Sequence, residues 1–228
     1  MTTPLTTRTP DGPAKGGVVI IQEAFGVTPW VEGVCDRLAA AGWDAVAPHL
    51  FHRTGDPVFD YGGGFDRLAP HMGAMTMEGI TEDVDTALEH LASVGLAPEQ
   101  TGIIGFCVGG DIATVMGVTH ALGAAVSFYG GGVAEGRLGM PALVDVVASL
   151  RTPWLGHYGS ADPSIPVEQL DALRPALEHA ALATELHVYD AGHGFANSDR
   201  PDVYAAPDAE LAWSRTLAWL EAHCLPGS

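Results

Sequence analysis

Apolar residues along the chain fall into short runs that switch between two periodicities. Val18-Val19-Ile20-Ile21, bounded by Gly17 and the polar pair Gln22-Glu23, does not alternate and predicts a strand buried on both faces. Val31, Val34, Cys35 and Leu38 then recur at helical spacing behind Thr28-Pro29, where a hydroxyl can cap free amides and the proline ring is pre-set for a first turn. Gly42 ends that helix. The same reading predicts strands over 43–47, 102–106, 124–129, 154–158 and 185–189. It predicts helices over about 76–94, 108 to about 120, within 141–150, over 167–180 and over 208–223. Strands and helices taking turns imply an α/β fold, a mostly parallel central sheet flanked by helices on both faces. Periodicity fades between Phe51 and Met75, a stretch with Gly62-Gly63-Gly64 and Pro57, which makes it a candidate lid or substrate-binding loop. Sheets of this kind hold ligands beyond the carboxyl ends of their strands, so the loops after each strand are where chemistry is sought.

Composition narrows the picture. With 228 residues, 47 % of them hydrophobic and 17 % charged, the chain suits one well-buried domain over 1–228, and disordered, collagenous and coiled-coil readings fall away. Ten Lys and Arg against 28 Asp and Glu give a net charge of −18, which repels phosphate backbones and anionic headgroups, so neither nucleic acid nor a membrane surface is an expected partner. Cys35, Cys107 and Cys224 stand at no metal-like spacing, and the first ten residues lack a signal-like apolar stretch, so free thiols in a reducing cytoplasm are expected. No stripe is obviously left over from the core, which suits a monomer or a small homo-oligomer. The ten histidines form no His-Glu-x-x-His or Cys-His pairing, and Gly62-Gly63-Gly64 and Gly130-Gly131-Gly132 lack the Lys-Ser/Thr of a phosphate loop. Neither a metal nor a cofactor is expected.

Chemistry concentrates where a buried strand meets a helix, in Gly105-Phe106-Cys107-Val108-Gly109-Gly110. A nucleophile elbow needs small flanking residues there because the turn crowds the backbone, and a helix amino terminus favours negative charge on the sulfur. A small core cysteine beside a turn fits that segment alone equally well. Chain order separates the two readings, since an acid and a histidine should follow on loops after later strands. Asp162, in Gly159-Ser160-Ala161-Asp162, and His193, in Ala191-Gly192-His193-Gly194-Phe195, have those addresses. Singly, Asp162 reads as a turn-former and His193 as a solvated loop residue. Together with the elbow they form a Cys-His-Asp set in which His193 handles the thiol proton and Asp162 orients the imidazole. The backbone amide of Val108, next after the nucleophile, and that of Ala24, after the first strand, are candidate oxyanion donors. Tyr129, at a strand end beside the elbow, either lines a pocket or packs in the core.

These segments, with Val19 to Val27, Ala47-Pro48-His49-Leu50-Phe51 and Ser127 to Gly130, resemble the dienelactone hydrolase family of cysteine-dependent α/β-hydrolases over nearly the whole chain. The resemblance implies Cys107, Asp162 and His193 as the triad, with Ala24 and Val108 amides as the oxyanion hole. It makes Glu23 the carboxylate that pairs with the resting thiol and swings away when substrate arrives. Where dienelactone-cleaving members carry an arginine that grips the substrate carboxylate, this chain has Asn197, and an amide offers neither the fork nor the charge of a guanidinium. Arg67, in the irregular segment, or Arg200 is left to compensate. Phe25, Tyr129, Asn197 and Arg67 are the candidate substrate contacts. Because the chain starts close before its first strong strand, leading strands found in some members are expected to be shortened or absent. The function implied is hydrolysis of small esters or lactones. A thioesterase or general carboxylesterase, or a catalytically silent fold that binds a small molecule, are the alternatives.

Overall fold

A computed structural model describes residues 2–225. Seven strands form one sheet: β1 (Leu5–Arg8), β2 (Gly17–Ile21), β3 (Asp44–Pro48), β4 (Thr101–Phe106), β5 (Ala124–Phe128), β6 (Trp154–Gly159) and β7 (Thr184–Tyr189), in the order β1-β3-β2-β4-β5-β6-β7. All pairings are parallel except β1 with β3, where Leu5 faces Pro48 and Arg8 faces Ala45. The unalternating runs in β2 to β6 are buried throughout, as a parallel sheet covered on both sides requires.

β1 is the one described strand before β2 and is four residues long, within the expectation that leading strands would be shortened or absent. Its Leu-Thr-Thr-Arg sequence is half-buried along its length and carries no apolar run, so it is defined by pairing with β3 and not by its own pattern. Edge position suits such a strand, because only one side needs a partner. Elsewhere the predicted elements form within a few residues of their expected ends. The one that contracts is the helix within 141–150, reduced to the single turn α5 (Leu143–Val146) and a following 3₁₀ turn.

Right-handed crossovers decide which face each helix covers. The chain steps one way from β2 to β3 through α1 (Pro29–Ala40) and the other way from β3 onward. This sets α1 opposite α3 (Met77–Ser93), α4 (Val108–Thr119), α5 and α6 (Val167–Glu178). The last helix, α7 (Ala206–Cys224), joins α1: Arg37 is bidentate to Glu210 at 3.0 and 2.7 Å and lies over the Trp213 ring. Thr28 caps α1 with its hydroxyl, with Pro29 directly behind, as its sequence predicts. The stretch from 51 to 75 holds two 3₁₀ turns and the short α2 (Ala69–Gly73), anchored by buried Phe51, Leu68 and Met72. Among the described residues no helix is long and apolar enough to cross a membrane.

Candidate active site

Loops from five strands converge above the sheet. They bring Glu23 and Ala24 from β2, Cys107 from β4, Tyr129 from β5, Asp162 from β6 and His193 from β7 to one region. The reversal of strand order lies at β2 and β4, whose crevice opens beneath the first three of these.

Cys107 sits at φ 55°, ψ −118°, between the last residue of β4 and the first of α4. A non-glycine residue there is strained, and surrounding structure has to hold it. The neighbouring glycines permit this. A Cβ at Gly105 would meet the Gly109 carbonyl oxygen at 1.8 Å, and one at Gly109 would meet the carbonyl oxygens of Ile21 and Gln22 at 2.5 Å. Helix and strand therefore approach closely only because no side chain stands between them. The Cys107 amide donates to Phe128 O at 3.0 Å, tying the elbow to β5. Val108 is the first residue of α4, so its amide has no intrahelical acceptor and is free for a ligand. Ala24 lines the cavity that Cys107 borders.

His193 Nδ1 donates to Asp162 Oδ2 at 2.7 Å, and the Ser164 amide donates to Asp162 Oδ1 at 2.8 Å. Asp162 is fully enclosed while the His193 ring is 25 % exposed, so the acid is shielded and the base reaches the cavity. Burial opposes charge on both. For Asp162 the bonds from His193 and Ser164 outweigh it and hold the carboxyl below its usual range. For His193, hydrogen bonding to Asp162 and Cys107 outweighs burial and raises the imidazole to about 10.

Glu23 is buried, and burial raises its carboxyl above the usual range despite several favourable partners. Its oxygens accept from the Tyr129 hydroxyl at 3.3 Å and from Asn197 Nδ2 at 2.8 Å. Both carboxylate oxygens are thus engaged by Tyr129 and Asn197, while Glu23 lines the same cavity as Cys107. Asn197 is correspondingly not at the cavity wall. It is fully buried, bridging Glu23 and the Tyr61 hydroxyl, which is 3.1 Å away. Tyr129 too is fully buried, its ring edge-on to His193 and Phe195. Both residues support the site from behind, where the sequence suggested substrate contact.

The cavity over Cys107 measures about 250 Å³. Phe25, Phe65 and Leu68 supply its apolar wall, and Arg137 and Arg200 its cations. Phe25 is thus placed as its sequence position suggested. Arg67 is not: it points outward to Asp60, bonding Oδ1 at 2.8 Å, because the 3₁₀ turn of 65–67 directs it away from the cavity. Arg200 occupies the place proposed for it as an alternative, against the Phe25 and Tyr61 rings. Arg137 was not foreseen. It follows Gly130-Gly131-Gly132 in a segment without periodicity, and it forms an ion pair with the buried Asp111. Burial pushes Asp111 up to about 6 against the pull of Arg137. The one legible signal was Asp111 itself, a carboxylate inside an otherwise apolar helix.

Sheet order, elbow and loop placement together define an α/β-hydrolase fold. The model of the dienelactone hydrolase family matches residues 5–224, and the chain belongs to this family of hydrolases. It is 36 % identical over 209 residues to the "Putative carboxymethylenebutenolidase" of Yersinia pestis, covering 90 % of this chain and 78 % of that one. It is 28 % identical over 219 residues to the carboxymethylenebutenolidase of Rhodococcus opacus, covering 92 % and 82 %. Among solved structures, a "Putative Dienelactone Hydrolase" from Klebsiella pneumoniae superposes with a TM-score of 0.85 at 33 % identity, over 96 % of this chain and 92 % of that one.

Proposed function

We propose that the protein hydrolyses small carboxylic esters or lactones through a covalent thioester on Cys107, with His193 as base and Asp162 as its orienting acid. The observation that carries this is the elbow. A strained Cys107 and the Asp162-bound His193 border one cavity, although 86 residues separate them in sequence. The names of the relatives point the same way.

In the first step Cys107 Sγ attacks the substrate carbonyl carbon, its proton having passed to His193 Nε2. Charge develops on the carbonyl oxygen against the amides of Ala24 and Val108. The carbon–oxygen bond then breaks and His193 gives its proton to the departing oxygen, leaving a thioester. A water molecule, deprotonated by the same imidazole, attacks the thioester and releases acid and thiol. Asp162 holds the Nδ1–H throughout, so that Nε2 faces the sulfur. The segment 51–75 acts as the substrate loop of one catalytic domain, since Phe65 and Leu68 close the cavity from that side.

The test is intact-protein mass after brief mixing with p-nitrophenyl butyrate, alongside product release. Wild type should show a butyryl adduct and turnover. Cys107→Ala should show neither, with an unchanged circular dichroism spectrum. Turnover by Cys107→Ala near the wild-type rate would overturn the assignment, and absence of adduct and turnover in wild type would favour the silent binding fold.

A further inference from the structure

A second cavity, of about 230 Å³, adjoins the first. Arg137, Ser164 and His193 line both. Cys107 and Ala24 border only the first, whose remaining wall is the apolar Phe25, Phe65 and Leu68 with Glu23 and Arg200 at its margin. The second is polar instead, walled by the backbone of Gly131 and Gly132 and by Glu135 and Gln169.

The chemistry assigns the two halves of an ester to these two spaces. Once Sγ is bonded to the carbonyl carbon, the acyl chain has to lie where Cys107 and the Ala24 amide are, in the apolar cavity. The departing oxygen has to lie at His193, which protonates it, and the group attached to that oxygen extends past His193 on the other side. We propose that the protein's substrates are open-chain esters of a small apolar acid with a neutral, hydroxylated alcohol, the alcohol half seated in the polar cavity and bonded by Arg137. This rests on the thioester mechanism above and goes beyond it in naming the substrate.

Arg137 is built for that contact. Its Nε is committed to Asp111 and the guanidinium also reaches the Cys107 thiol, while its buried Nη2 has no hydrogen-bond partner within the protein. Buried donors of this kind are normally satisfied, so one left open at the junction of two cavities is placed for a ligand oxygen. The guanidinium lies flat against Gly131, where a Cβ would meet Cζ at 2.7 Å, so a residue with a side chain there would displace it. A neutral alcohol follows from the charges. Asp111 already compensates Arg137, Glu135 stands in the same chamber, and the chain carries a net −18, all of which disfavour a carboxylate on the leaving half.

The experiment measures butyrate release from three esters with the same acyl group: glyceryl monobutyrate, butyl butyrate and the butyrate ester of glycolate. The glyceryl ester should exceed the other two in kcat/KM by at least tenfold. That ratio should fall below threefold in Gln169→Trp, which fills the polar cavity from the half-buried flank of α6. It should fall likewise in the double variant Arg137→Met with Asp111→Asn, which removes the cation without stranding its buried partner. Equal rates on glyceryl and butyl esters, a preference for the glycolate ester, or a ratio that survives in both variants would each overturn the assignment. If wild type forms no adduct on Cys107 and releases no butyrate from any ester, the thioester mechanism itself fails; an adduct with no glyceryl preference leaves the mechanism standing and removes only this inference.

Discussion

Asp162→Asn separates the charge of the acid from its shape. The Ser164 amide donates to Oδ1 at 2.8 Å, so in the variant the amide oxygen has to stay on that side to accept it. The NH₂ is then forced to the Oδ2 position, 2.7 Å from His193 Nδ1, where it can only donate. His193 responds by accepting at Nδ1 and carrying its proton on Nε2, the tautomer that cannot take a proton from Cys107. For a triad of this geometry the cost is on the order of 10³ to 10⁴ in kcat. The same substitution removes one charge-assisted hydrogen bond, worth about 1.5 to 3 kcal/mol. At about 1.36 kcal/mol per pH unit that lowers the imidazole by roughly one to two pH units. The wild-type imidazole, raised to about 10, keeps its proton well into alkaline solution. The alkaline limb of kcat/KM for p-nitrophenyl butyrate should therefore move to lower pH in the variant, while the rate at its optimum falls by about three orders of magnitude. The assay is a pH profile from 5 to 11 on protein whose melting temperature is checked first. A folded variant within tenfold of wild type at neutral pH, or one whose alkaline limb does not move, would refute the reasoning, because either result means Asp162 does not set the tautomer.

Other outcomes follow from the same geometry. Gly109→Ala places a Cβ 2.5 Å from two backbone oxygens of the β2 end, and neither can yield without moving the strand. A loss of about 1 to 3 kcal/mol in chemical denaturation is expected, with loss of activity, and a variant as stable as wild type would show that the elbow is not tightly packed. Glu23→Gln should change the rate of Cys107 alkylation by iodoacetamide less than threefold at neutral pH, because the carboxylate is bonded to Tyr129 and Asn197; a tenfold change would restore the resting-thiol pairing. His193 is raised in the folded state, so its contribution to stability is complete below its unfolded value near 6.5 and is lost as pH rises through about 10. Wild type should accordingly lose more melting temperature between pH 6.5 and 10 than His193→Gln does, and parallel curves would count against the charged pair.

Much of this was legible in the chain itself. Buried parallel strands need unalternating β-branched runs, so Val18 to Ile21 announced β2 without any tertiary information. Gly105, Cys107 and Gly109 carry the steric signature of a strand-to-helix turn because a close approach excludes side chains. The placing of Cys107, Asp162 and His193 on loops after three different strands, β4, β6 and β7, followed from the rule that such sheets gather their loops at one end.

Tertiary structure decided what periodicity does not encode. β1 exists because β3 offers an edge, and its four half-buried residues hold no pattern of their own. Asn197 and Tyr129 turn out to hold Glu23, while Arg67 turns outward, because direction at a loop position depends on neighbours far along the chain. Arg137 entered the site on an aperiodic glycine-rich segment, and only the fold could bring it against Asp111, 26 residues away. Local sequence sets strands, helices and tight turns through sterics acting over a few residues. Which polar side chain reaches a cavity is settled by burial, charge pairing and unmet hydrogen bonds between distant segments, and these exist only once the sheet is assembled.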